Sequence, residues 1–142
     1  MYPQPNLVPI NNKEYYLKEP YTHEWIFENK KFRVTVPQGF ITDGASVPKL
    51  FWSIAGLKPD GLYRAAAVVH DYFYAFRGDP PSESFQKLVN ETWKTVTKED
   101  RPALTRKEID GLFIQIMQEA GVDGWASKSM YWAVRVFGRF AW

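Results

Sequence analysis

The stretch from Gly61 to Tyr74 limits what this chain can fold into more than any other. It reads Gly-Leu-Tyr-Arg-Ala-Ala-Ala-Val-Val-His-Asp-Tyr-Phe-Tyr, with small aliphatic and aromatic side chains at nearly every position. No polar face of helical period runs through it, so it reads as a buried helix. Asp60 suits its N-cap, and Gly78-Asp79-Pro80-Pro81 ends it. One titratable pair, His70-Asp71, stands inside this apolar run. A buried polar group left without a partner costs roughly 1–3 kcal/mol. The rest of the fold must therefore bring partners to that pair.

The segments before it read as strands. Thr22 to Phe27 alternates, and Phe32, Val34 and Val36 share one face opposite Arg33 and Thr35. With Glu28 to Lys31 as the turn, the two runs predict a β-hairpin. Glu14–Lys18 and Phe40-Ile41 read as short strands. His23, in the first strand, is expected at the surface. Residues 1–12 hold Pro3, Pro5 and Pro9 and are expected to form an extended arm on the domain or on a partner.

The remaining segments read as helices. Ser46 is placed to cap a short helix carrying Leu50, Phe51 and Ile54. Ser82 is placed to cap another, in which Phe85, Leu88, Val89 and Trp93 recur at helical spacing. Thr105-Arg106-Lys107-Glu108 is a capping box, and the helix behind it bears Ile109, Leu112, Phe113, Ile116 and Met117 on one stripe. Gly121 ends that helix. A last helix runs from about Trp125 to Phe140 and is apolar nearly all round, as a deeply buried or partner-covered helix would be. The order predicts an α+β fold, a small hairpin-based N-terminal antiparallel sheet packed on a C-terminal bundle of about four helices.

At 142 residues the chain fits a single domain, and 45% hydrophobic and 17% aromatic residues supply an ample core. Eighteen basic and sixteen acidic residues leave a formal charge of +2, which sets up no general field for nucleic acid. There are no cysteines, so disulfides and thiolate metal sites are excluded. The first residues have no charged n-region and no apolar h-region, so no signal peptide is expected. No apolar run reaches the roughly 18 residues of a membrane span.

Chemistry has few candidates. His70 offers a neutral imidazole and Asp71 a hard oxygen ligand beside it. Asp43, in the polar loop after the sheet, and Asp110, on the border of the capping-box helix stripe, are the acids that could join them. His70, Asp71 and Asp110 could hold a divalent metal that activates water. Without metal, the same residues with Asp43 could do general acid–base work. The bland alternatives stand beside these: a core histidine bonded to a carboxylate, Asp43 capping a turn, and Asp110 as a favourable charge near a helix N-terminus. Arg64 could pair with one of the acids, and Thr42 and Ser46 flank Asp43 as binding or structural residues. No Gly-x-Ser-x-Gly elbow and no Gly-rich phosphate loop occurs.

Phe40-Ile41-Thr42-Asp43-Gly44-Ala45-Ser46-Val47-Pro48, then Gly61, Ala65-Ala66 and His70-Asp71-Tyr72 with Tyr74, then Arg106, Asp110 and Phe113, resemble the domain of unknown function 1353 family. The resemblance runs from about Val34 to Phe137. Such proteins are found in tailed bacteriophages and prophages, often among tail or late genes. It implies that Asp43, Ser46, His70, Asp71 and Asp110 form one polar constellation. It also implies synthesis in the host cytoplasm, with the virion as a further location, and phage structural proteins or a second copy of the chain as partners. Two functions follow as expectations. One is a virion- or tail-associated protein in assembly or host-envelope contact; the other is a metal-dependent or acid–base hydrolase. Against the family pattern, residues 79–104 read as an insertion that carries an extra helix.

Overall fold

The computed structural model of the protein describes residues 3–11, 14–42, 64–99, 103–140 and 142. Seven strands and three helices lie within them. β1 (Leu7–Pro9), β2 (Tyr15–Leu17) and β5 (Ile41–Thr42) form a three-stranded antiparallel sheet in the order β1-β2-β5. β3 (Tyr21–Phe27), β4 (Lys30–Val36), β6 (Phe85–Val89) and β7 (Thr92–Thr95) form a four-stranded one in that order. The helices are α1 (Arg64–Ala75), α2 (Arg106–Glu119) and α3 (Gly124–Phe137), and a 3-10 turn follows at Gly138–Phe140.

The hairpin β3–β4 forms as its alternation demands. Tyr21, His23 and Trp25 face inward from β3, and Phe32, Val34 and Val36 from β4. Glu28 and Asn29 make the two-residue turn with φ of 51° and 64°, the left-handed pair that matches strand twist. Trp25 stacks on Phe32 and Phe85 at 5.9 Å each and meets the edge of Phe73 of α1 at 6.1 Å. The larger sheet therefore lies over α1 through an aromatic layer.

α1 is the centre of the core, with every residue from Ala65 to His70 buried. α2 packs on α1 and α3 on α2. The capping box of α2 is closed in both directions: Glu108 N donates to Thr105 Oγ1 at 3.1 Å and Thr105 N to Glu108 Oε1 at 3.0 Å. Gly121 takes φ +93° after the helix. Asp123 caps α3 by accepting from Trp125 N at 3.0 Å. The N-terminal arm is tied down. Its Leu7–Pro9 pairs with β2, and Gln4 Oε1 accepts from the first-turn amide of Ala65 at 3.0 Å.

Two expectations are corrected. Residues 85–95 do not form a helix; they form the hairpin β6–β7, which extends the four-stranded sheet. Asn90 and Glu91 turn it with φ of 49° and 64°, the same chemistry as Glu28-Asn29. The apolar spacing at Phe85, Leu88 and Val89 also suits a strand edge, and β-branched Thr92, Thr95 and Val96 favour extension. Antiparallel pairing with β4, where Val34 faces Phe85, decides the matter. His23 is not at the surface but 5% exposed, stacked on Trp25. Its place on the inward face follows from the two-residue period that puts it between Tyr21 and Trp25. The α+β class holds, with two antiparallel sheets. The helix expected behind Ser46 and the cap expected at Asp60 lie outside the described residues.

Candidate functional site

Three helices meet at one carboxylate. Asp110 sits in the second turn of α2 and is fully buried. Its Oδ1 lies 2.7 Å from Nε2 of His70 and accepts from the hydroxyl of Tyr74 at 2.6 Å. Its Oδ2 accepts from Nη1 of Arg135 at 2.8 Å, and Nε of Arg106 lies 3.9 Å away. His70 and Tyr74 are one turn apart on α1, so they reach the same acceptor. Arg135 comes from α3 and Arg106 from the preceding turn of α2. Arg106 also donates to the backbone carbonyl of Arg135, which holds the Arg106 guanidinium against α3.

The titration behaviour follows from these contacts. Burial works against an imidazolium at His70, but the bond to Asp110 and the charges of Asp71 and Asp110 outweigh it and raise its proton affinity. Burial likewise works against ionised Asp110, yet His70, Tyr74 and Arg135 hold its carboxyl below the ordinary range. Burial, with the Asp110 bond second, pushes the Tyr74 phenol upward, so it stays a donor.

The other nitrogen of His70 is different. Nδ1 is buried, and among the described residues it makes no hydrogen bond. Its charged neighbour is Oδ1 of Asp71 at 3.8 Å, beyond hydrogen-bond reach. Asp71 lies at the rim with its side chain 9% exposed, and its Oδ2 accepts from the hydroxyl of Thr42 at the end of β5. Thr42, His70, Asp71 and Asp110 are thus brought together. Asp43 and Ser46 lie outside the described residues. Arg64 opens α1, six residues and roughly 9 Å before His70. The cations on Asp110 are Arg135 at 2.8 Å and Arg106 at 3.9 Å.

Tyr74 and Arg135 were not legible as site residues. A tyrosine in an aromatic run reads as core. Arg135 gave one signal: a cation flanked by Val134 and Val136 in an apolar helix needs an anion nearby. Asp110 does not suit a metal, because both its oxygens are taken by donors and one donor is a guanidinium. Among the described residues no group of three or more His, Asp or Glu is arranged to hold an ion. A cavity of about 200 Å³ opens elsewhere, between β3 and α2, lined by Trp25, Phe27, Leu104 and Leu112 among others. It is apolar, and none of the residues that line it belongs to the cluster.

An α+β protein whose sheet backs a helix pair joined by a buried His–Asp bond is the class that fold and site define. The family described as "Protein of unknown function (DUF1353)" matches residues 17–134, and the chain belongs to it. The match takes in Thr42, His70, Asp71, Tyr74 and Asp110 and ends one residue before Arg135. The chain is similar to "Uncharacterized protein y4jT" of Sinorhizobium fredii (strain NBRC 101917 / NGR234), at 35% identity over 103 residues. That stretch is 72% of this chain and 23% of the relative, so the chain spans less than a quarter of the relative's length. No solved structure matches.

Proposed function

We propose that the cluster is the centre of an acid–base hydrolase in which His70 activates water. The observation that carries this reading is the asymmetry of the imidazole. Nε2 is engaged by a buried, orienting carboxylate, while Nδ1 makes no hydrogen bond among the described residues. Bonding to Asp110 keeps the proton on Nε2 and leaves the lone pair on Nδ1. Once Asp71 and Thr42 at the rim move aside to admit water and ester to the buried Nδ1, Nδ1 takes a proton from water as the water oxygen attacks a substrate carbonyl carbon. The imidazolium then gives that proton to the departing oxygen, so an acyl ester yields an acid and an alcohol. Asp71, 3.8 Å from Nδ1, stabilises the imidazolium between the two steps. Tyr74 and Arg135 act through Asp110 as positioning residues.

The test is hydrolysis of a panel of p-nitrophenyl acyl esters by wild type, His70→Gln and Asp110→Asn. Turnover is expected with wild type, none above background with His70→Gln, and a loss of roughly 10²–10⁴ in kcat with Asp110→Asn. Equal rates for wild type and His70→Gln would overturn the assignment.

A second reading rests on a different observation, the complete burial of His70 and Asp110. It is a phage virion- or tail-associated protein in assembly or host-envelope contact, with phage structural proteins or another copy as partner. There the His70–Asp110 bond serves only to lock the helices. It gains if His70→Gln melts far below wild type and no ester is turned over.

A further inference from the structure

The outer face of α3 carries large exposed apolar side chains. Trp125, Trp132 and Val136 are 59%, 64% and 51% exposed. Spacings of seven and four residues put them on one face of the helix. Ala126, Met130, Ala133 and Val134 point the other way and are buried in the core, so the helix has no need of these tryptophans for its own packing. Exposed Lys128 and Arg139 flank the stripe. From Gly124 to Trp142 the chain carries three cations, Lys128, Arg135 and Arg139, and no Asp or Glu. The nearest carboxylate in sequence, Asp123, is engaged in capping the helix.

We infer that this face docks on an anionic lipid surface. Tryptophan settles at the boundary between headgroups and acyl chains, where its ring is apolar and its N–H is satisfied. Lysine and arginine beside it meet the anionic headgroups. The stripe is about 16 Å long and exposes roughly 400 Å² of apolar surface. A specific dimer buries about 800 Å² on each partner, so the stripe is too small to make a stable homodimer on its own. A lipid surface asks for no shape complementarity and accepts a patch of this size. The inference stands apart from the hydrolase reading, since none of these three side chains touches His70 or Asp71 in the contacts described above.

The test is co-sedimentation of the full chain with vesicles, with tryptophan emission recorded in parallel. Vesicles of phosphatidylcholine mixed with phosphatidylglycerol are expected to bind the protein, with a blue shift and with affinity that falls as salt rises. Trp125→Ala with Trp132→Ala should lose roughly tenfold or more in affinity, and Lys128→Glu should weaken binding to the anionic vesicles while leaving the melting temperature unchanged. Three outcomes would overturn the inference. They are no binding to the anionic vesicles, equal binding by the tryptophan double variant, and binding to pure phosphatidylcholine that matches the mixed vesicles. Sedimentation velocity supplies a fourth: a dimer that dissociates in the tryptophan double variant means that a second copy covers the face.

Discussion

Asp110 shows how much one side chain can decide. A carboxylate with no exposure is tolerable because its oxygens meet an imidazole, a phenol and a guanidinium. Removing it leaves His70 and Arg135 facing an apolar gap. Asp110→Ala is expected to cost roughly 3–5 kcal/mol in chemical denaturation. The pH dependence follows from the two shifts. Asp110 is held below its ordinary 3.8, so its contribution is present above that value and is lost as pH falls through the lowered one. His70 is raised above 6.5, so its contribution is complete below 6.5 and is lost as pH rises through the raised value. His23 acts in the opposite sense. Burial lowers its pKa to about 4, so the unfolded chain takes up its proton first as pH falls from 6.5. Up to roughly 3 kcal/mol is lost between those limits, and His23→Leu should flatten that limb of a pH–stability curve. His70, Asp71 and Asp110 could be picked out in the sequence because each interrupts an apolar pattern. Tyr74 and Arg135 could not, since only the approach of three helices shows where a phenol or a guanidinium ends.

The elements teach a related lesson. The hairpin β3–β4 and the helix α2 were readable because period, turn and cap agree with one another. The hairpin β6–β7 was not, because Phe85, Leu88 and Val89 satisfy a helical period by coincidence and the partner that settles the matter, β4, lies some fifty residues earlier. Asn90-Glu91 was the available signal, as a second turn of the same kind as Glu28-Asn29. The passage from α1 into this hairpin depends on Gly78. Its φ is +80°, and a Cβ there would run into the carbonyl of Leu104, whose own amide donates to Gly78 O at 3.0 Å. Gly78→Ala should therefore lower stability by at least about 2 kcal/mol in thermal or chemical unfolding, whereas Gly39→Ala, with open space around its Cβ, should cost less.

At the scale of the whole molecule, one helix carries both the aromatic layer and the polar centre on neighbouring flanks. Trp25 and Phe85 meet Phe73, while His70 and Tyr74, roughly 60–100° round α1 from it, reach Asp110 of α2 and through it Arg135 of α3. The sequence showed that both existed but not how closely one helix sets them side by side. The position of α3 carries a further consequence, for the way the protein comes apart. Arg135 cannot leave Asp110 without abandoning a charge in the interior, and at Gly138 a Cβ would come within 2.9 Å of the hydroxyl of Tyr74, which completes the same site. α3 cannot fray away alone. In native-state hydrogen exchange the central amides of α1, α2 and α3 should open as one cooperative unit, with a single free energy and a common denaturant slope. The short strands β1, β2 and β5, joined to that unit through Thr42, the bond of Gln4 to Ala65 and the buried Leu17, should exchange at lower cost. In Asp110→Ala the unit should divide, and α3 should exchange before the other two.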